Sequence, residues 1–402
     1  MTGPVSSGLP PLGGAPRRRR GAGVLAAIAC ISLFGVQQGM QHPLFALRLE
    51  AEGWSSGAIG VSGAMVALSA LVCTPLMPPL IRRMGLAAFL ASGALLSGAL
   101  LLLFPLFEGY WAWLGLRFLQ GSAAAALFLG AETWIVSGAE PGARGRIVGL
   151  YASMLSLGFA SGPLILTGVG VEGWTPFAVS ALLSLCAVAP LIAGWRDAPD
   201  AEPDDRPAIS PLRFILVAPT VLGAVVLYGA IEFGVMGLLP VWGVQVGLGP
   251  AAAAFLVSAL IFGNVIFQIP LGALAERMSR RPLLILCAGV SIAAAALLPA
   301  LAAGGWALWA MLLVWGGIAA GLYTIALIEL GARYGGATLV AANAAVVIAY
   351  GIGALAGPVL AGGAMDLLGP HGLSVALGAM GAVYLAVALL RAPGSASAAR
   401  PG

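Results

Sequence analysis

The chain has no lysine, two histidines and four cysteines, and only 8% of its 402 residues are charged. Each shortage excludes something. A Walker A loop needs a lysine to reach the phosphates, so a nucleotide-driven pump of that kind is excluded within this chain. Cys30, Cys73, Cys186 and Cys287 each stand alone inside an apolar run, without the spacing of a zinc site or a disulfide framework, and no metal or cofactor is implied. The two histidines, His42 and His371, are too few for the His, Asp or Cys constellation that a membrane-embedded transferase would carry near one membrane face. A charged fraction this far below the roughly 25% of soluble globular chains also argues against a water-soluble domain.

What is present instead is apolar sequence, 60% of the chain, with 58 Gly and 27 Pro. A membrane-crossing helix needs about 20 mostly apolar residues for about 30 Å of hydrocarbon, so there is room for about a dozen. Residues 1–22, rich in Pro, Gly and Arg, read as a cytoplasmic tail. Six apolar stretches follow within 23–195, at 23–47, 57–81, 86–107, 111–137, 147–170 and 175–195. Residues 196–213 hold five acids, three Arg and four Pro, a composition that reads as a cytoplasmic linker. Six more stretches fill 214–391, at 214–242, 251–275, 282–303, 305–331, 337–364 and 371–391, before a tail at 392–402. The expected fold class is therefore an all-α membrane protein of twelve spans, with the lipid bilayer as its solvent.

Arginine supplies the orientation. Arg17 to Arg20, Arg82, Arg83, Arg144, Arg146, Arg196, Arg206, Arg213, Arg277, Arg280, Arg281, Arg333, Arg391 and Arg400 all fall in the tails or beside loops that follow even-numbered spans, 17 of the 19. By the positive-inside rule both termini are cytoplasmic, in a bacterial inner membrane. The net charge of +4 is then a topology signal, and no nucleic-acid partner is expected. The halves also repeat. Pro43 and Pro240 are 197 apart, Arg83 and Arg277 194, Glu132 and Glu329 197, and Gly162-Pro163 and Gly357-Pro358 195. Matching types at one shift point to two six-helix units.

Spans three, six, nine and twelve carry little more polar than Ser and can face lipid. Polar residues gather elsewhere: Gln37, Gln38, Gln41 and His42 in span one, Arg117, Gln120 and Glu132 in span four, Tyr228 and Glu232 in span seven, Tyr323 and Glu329 in span ten. Asn264 and Gln268 in span eight and Asn343 and Tyr350 in span eleven join them. An ionisable group at the bilayer centre costs at least about 2.5–3.5 kcal/mol, so these are expected to face the interior or a wet cavity. Trp134, Trp242, Trp315 and Tyr323 suggest that such a cavity is apolar and aromatic. Glu132 and Glu329, near the inner ends of their spans, are within reach of Arg83 or Arg144 and of Arg277 or Arg280, as gate pairs or as proton carriers. Arg117, near the outer end of span four, can pair with an anionic substrate, with Glu232 or with backbone carbonyls. Glu232, about 18 residues and roughly 27 Å into span seven, stands in the outer half, away from the arginine clusters; Gln38 is its repeat-related position. It is either the coupling carboxylate or a permanent hydrogen-bond partner of Tyr228 or span one.

Three motifs resemble one family. Gly272-Ala273-Leu274-Ala275-Glu276-Arg277-Met278-Ser279-Arg280-Arg281 is similar to the signature loop of the major facilitator superfamily, with Glu for the usual Asp and Ser279 for the second Gly. Its first-half counterpart, Pro78 to Gly85, is degraded, with Arg82 at the acid position while Arg83 remains. Leu116-Arg117-Phe118-Leu119-Gln120-Gly121 resembles the family's fourth-span Arg-x-x-Gln-Gly element. Gly149, Gly158, Gly162 and Pro163 match most of a fifth-span pattern of proton-linked antiporters, with Leu166 and Thr167 where a closing Gly pair stands. The glycines are also small-xxx-small spacing for close helix packing. The resemblance implies two pseudo-symmetric six-helix bundles around a central cavity, alternating access by rocking of the halves, and gates at Arg82, Arg83, Glu276, Arg277, Arg280 and Arg281. It implies a monomeric secondary transporter of a small organic solute, proton-coupled and an exporter rather than an importer, and not an enzyme. A membrane-embedded enzyme and a non-coupled lipid or solute facilitator are the alternatives.

The arginine placement makes a direct prediction. In an otherwise Cys-free chain, Glu52→Cys in the first loop reacts with an impermeant thiol reagent added to intact cells, and Asp204→Cys in the linker does not. Labelling at position 204 reverses the orientation.

Overall fold

The structure, a computed structural model, describes residues 17–107, 109–139, 144–199, 218–334 and 336–390. Most of the two tails and of the linker lies outside the described residues. Twelve helices among those described are long and apolar enough to cross a membrane: Gly21–Ala51, Ser56–Met84, Leu86–Leu106, Tyr110–Gly138, Arg146–Val169 and Thr175–Asp197 (spans one to six), then Pro219–Gln245, Pro250–Arg277, Arg280–Leu297, Trp306–Arg333, Ala341–Leu368 and Gly372–Leu390 (spans seven to twelve). In hydrocarbon an unbonded backbone group has no water to turn to, which is why each apolar stretch becomes a helix. The turns between them use local chemistry. Gly85 adopts φ +82°, a conformation that costs a side-chain-bearing residue energy, and so spans two and three join without a longer loop.

One boundary corrects the sequence expectation. Span seven begins at Pro219, preceded by Ala218 in a non-helical conformation (φ −127°, ψ 53°); proline suits the first helical position and disfavours helix just before it. The later start puts Glu232 thirteen residues into a 27-residue helix, at mid-span and not in the outer half.

Packing repeats between the halves. Span one lies along span five as span seven lies along span eleven, and the pairs two–four, three–four and three–six recur as eight–ten, nine–ten and nine–twelve. The two six-helix bundles meet mainly through span two on span eleven, span five on span eight and span one on span seven. Spans three, six, nine and twelve stay on the outside. Trp111 and Trp306, 195 positions apart and 81% and 83% exposed, start spans four and ten on the same side, where amphipathic indoles suit a membrane–water boundary.

The closest approaches depend on glycine. A Cβ at Gly158 would come within 2.7 Å of the Ser32 carbonyl oxygen of span one, and one at Gly353 within 2.9 Å of the Ala230 nitrogen of span seven. Gly162 and Gly357 sit as tightly against the same two helices. Because lipid is as apolar as the helices, such close packing replaces the hydrophobic effect as the force that joins them.

Overpacking costs about 1–3 kcal/mol, so Gly158→Leu and Gly353→Leu should each lower the apparent melting temperature of the purified protein. Gly168→Leu, on the same helix as Gly158 but with nothing within 4 Å, should not. Equal stability of all three variants would refute the packing role.

Candidate functional site

Span seven places Tyr228 and Glu232 four residues apart, hence on one face. Tyr350 of span eleven donates its phenol proton to Glu232 Oε2 at 2.6 Å, and the Tyr228 phenol stands near the same carboxylate. Asn264 of span eight stands near Tyr228. Tyr323 of span ten completes a triangle of rings, with centroid separations of 5.7 Å to Tyr228, 5.9 Å to Tyr350 and 6.1 Å between Tyr228 and Tyr350. Gln268, exposed, reaches Thr324 of span ten at 3.5 Å. Asn343, also exposed, lies two turns before Tyr350 on span eleven. Four helices of the second bundle thus converge on one carboxylate.

The paired acids of the repeat do not behave alike. Glu329 is held by Arg280, Nη1 to Oε2 at 2.9 Å, and by Arg333 one turn later. Glu132 has Val136 where Arg333 would repeat, and among the described residues it has no ion-pair partner. Its expected partner Arg83 is exposed and apart from it, and the Arg144 side chain lies outside the described residues. Glu132 stands exposed, within electrostatic reach of Tyr151 of span five and of Tyr323. Since Tyr323 is also within reach of Glu232, one phenol lies between an acid of each bundle.

Several residues expected on the cavity wall lie inside the first bundle. Gln37 donates to Gln41, and Gln120 Nε2 donates to Gln41 Oε1 at 2.9 Å and to Ser97 Oγ at 2.7 Å. This network ties spans one, three and four together and satisfies polar groups that lipid cannot. Gln38 is 3% exposed and Trp134, Trp242 and Trp315 are fully buried in the bundle cores. Arg117 is not brought to Glu232. It is 2% exposed, with its guanidinium 4.5 Å above the Phe45 ring and Nε donating to the Ser62 carbonyl at 3.3 Å; Nη1 has no protein partner. With His42 and Phe233 it lines a cavity of about 10 Å³, room for about one water.

His42 is the centre of an aromatic row that crosses between bundles. It stacks at 6.5 Å on Phe159, which stacks at 6.3 Å on Phe128, and meets Phe233 of span seven edge-on at 6.0 Å. Phe233 in turn meets Tyr350 at 6.0 Å. Above this row, on the arginine-poor side, the bundles are bonded shut. Gln245 donates to Glu50 and to Ser56, both at 3.1 Å, Asp366 accepts from the Gly57 amide at 3.0 Å, and Ser258 donates to the Ala160 carbonyl at 2.8 Å. On the arginine-rich side Arg82, Arg83, Glu276 and Arg277 are exposed, while Arg281 bonds the Ala388 carbonyl within its own bundle. The inter-bundle bonds named here thus lie towards the arginine-poor side or at mid-span, with the tyrosines, Glu232 and Glu132 on the arginine-rich side of the aromatic row.

Sequence reasoning missed Tyr151, Phe159, Phe233 and the outer bonds. The last had a signal: Glu50 and Gln245 are 195 apart, and repeat-related positions meet where the pseudo-twofold axis passes. A larger cavity of about 630 Å³ between spans seven, eleven and twelve is lined by aliphatic side chains and Tyr384, and offers no set of polar groups to position a solute.

A family model described as Major Facilitator Superfamily matches residues 27–340 and 221–402. Among curated relatives, a protein named uncharacterized MFS-type transporter YcaD, of Escherichia coli, is 24% identical over 92% of this chain and 96% of its own. YfkF of Bacillus subtilis, named in the same terms, is 27% identical over 64% of this chain and 67% of its own. Among solved structures, a mutant of the nucleoside transporter NupG superposes with a TM-score of 0.78 at 13% identity, covering 91% of this chain and 99% of that one. A bacterial homologue of the lysosomal transporter Spinster, inward-facing and occupied, gives 0.70 at 14% identity over 94% and 96%. At these identities the two structures speak for the fold alone.

The outer bonds generate a prediction. Each is worth about 0.5–1.5 kcal/mol net, so Gln245→Ala combined with Asp366→Ala should move the open–closed balance several-fold. Spin labels at exposed Glu172 and His371, in the outer loops of the two bundles, should show a longer-distance population in that variant. An unchanged distance distribution would mean that these bonds do not hold the outer face closed.

Proposed function

The chain belongs to the major facilitator superfamily, and on that premise we propose that it is a proton-coupled exporter of a small, partly apolar organic solute in a bacterial inner membrane. A transporter of this superfamily works by presenting one central site alternately to the two sides as its bundles rock. We take the arginine-rich face as cytoplasmic; the bonds of Gln245 and Asp366 between the bundles then lie at the outer face, which supports reading the conformation as inward-facing.

The observation that carries the proposal is a pair of carboxylates, Glu232 at mid-span and Glu132 nearer the arginine-rich end of its span, one on each bundle and neither matched by a cationic side chain among the described residues. An acid in that setting holds either a proton or a cationic ligand, because an isolated charge in hydrocarbon is costly. Glu329 is different, since two arginines already neutralise it. The phenol of Tyr350 keeps Glu232 hydrogen-bonded in this conformation. In an exporter the solute enters from the cytoplasm as the carboxylates release protons inward, and protons arriving from outside displace it after the bundles rock. The partial antiporter pattern around Gly149, Gly158, Gly162 and Pro163 favours export over uptake, and the aromatic row from Phe128 to Tyr350 suits a solute with apolar surface.

In proteoliposomes, with a solute found by its stabilisation of the purified protein, Glu232→Gln should abolish accumulation driven by a pH gradient. Downhill exchange at saturating solute should persist, because Gln keeps the shape but cannot cycle a proton. Undiminished gradient-driven transport by the variant would remove Glu232 from the coupling step, and transport by the wild type that ignores the gradient would favour a facilitator.

A further inference from the structure

Resting on the transporter reading, we propose that the cargo is an organic monocation, a protonated amine or a quaternary onium ion, seated at the Tyr228, Tyr323 and Tyr350 triangle between Glu232 and Glu132.

Three aromatic rings on three different helices have centroids 5.7, 5.9 and 6.1 Å apart. Their planes are inclined by 42°, 66° and 34°, so the rings do not stack flat and hide one another. For a triangle of these sides a point over its centre is about equally far from all three rings, and a cation there falls within the roughly 6 Å at which ring quadrupoles attract it. Electron-rich phenols without nearby positive charge are the wrong lining for an anion.

The charges around the triangle agree. Glu232 accepts from Tyr350 with Tyr228 beside it at one side, and Glu132 stands on the facing bundle within reach of Tyr323. Arg117, buried in span four, is turned to Phe45 and the Ser62 carbonyl on the far side of the aromatic row. Glu329, the remaining intramembrane acid, is neutralised by Arg280 and Arg333. Two acids, three tyrosines and no basic side chain among the described residues at the triangle make a site selective for positive charge. Phe233, packed against Tyr350 and leading to His42, continues the aromatic surface and suits a cargo whose cationic head carries a ring or a branched alkyl body. Specificity by sign follows, since an anion of the same shape would meet uncompensated like charge.

The test uses two ions of nearly one shape and opposite charge. Tetraphenylphosphonium and tetraphenylborate are titrated separately onto the full-length protein in lipid nanodiscs at alkaline pH, with the Glu132→Gln/Glu232→Gln double variant as background. The phosphonium should bind saturably and the borate should not. Each single Glu→Gln change should weaken phosphonium binding by about tenfold, and Tyr323→Leu should weaken it more than Tyr323→Phe, which keeps the ring. Both tyrosine variants are compared at an unchanged apparent melting temperature, so that a loss of binding reports the site and not misfolding. Borate bound as well as phosphonium, phosphonium binding unchanged in the double variant, or equal losses in the two tyrosine variants would each overturn the proposal. If it fails this way while Glu232→Gln still loses gradient-driven transport, only the cargo class falls and proton coupling stands.

Discussion

Charge inside hydrocarbon must be partnered, and that requirement orders nearly every polar residue of this chain. Seventeen of the 19 arginines gather on one side, where water and headgroups suit them, and Arg48 at the other end of span one pairs with Glu52. Glu329 carries two of them as partners. Arg117, the exception in mid-bundle, has its charge spread over the Phe45 ring and a backbone carbonyl. Gln37 and Gln120, of spans one and four, both donate to Gln41. After that accounting two carboxylates remain without a fixed cation, and they lie on the arginine-rich side of the aromatic row.

The same accounting explains how a repeated fold becomes a directional device. Duplication supplies matched helix pairs and a pseudo-twofold axis along which spans one and seven touch. Function then enters through departures from the repeat. Val136 in place of a counterpart to Arg333 frees Glu132, and Gln38 in place of a counterpart to Glu232 leaves one bundle with the ionisable version of the site. The tyrosine triangle belongs to the second bundle alone. A symmetric shell thus encloses an asymmetric site, the arrangement a carrier needs if one bundle is to hold the ligand while the other closes over it.

Most of the fold was legible before any coordinates. A span needs only length and apolarity, so the twelve spans are legible without knowledge of packing. Glu232, Tyr228, Tyr323, Tyr350 and Asn264 were legible for a related reason: a polar group in a span draws attention wherever it points. Direction was not legible. Gln37, Gln41 and Gln120 look as cavity-like as Asn264 in sequence, and only the neighbouring helices decide that they face inward to Ser97. Phe159 and Phe233 passed as ordinary apolar residues, since nothing in the chain marks an aromatic ring as part of a row between bundles. Glu232 was placed too far out because span seven was taken to begin at 214, whereas its described helix begins at Pro219 after a non-helical Ala218.

The central claim is that proton and cation compete for the same carboxylates. Its most direct measurement is proton release on binding, followed with a pH dye in weakly buffered solution as tetraphenylphosphonium is added to purified protein. The account predicts that saturable binding by the wild type releases protons and that the release disappears in the Glu132→Gln/Glu232→Gln variant. Saturable binding by the wild type with no proton released would contradict it.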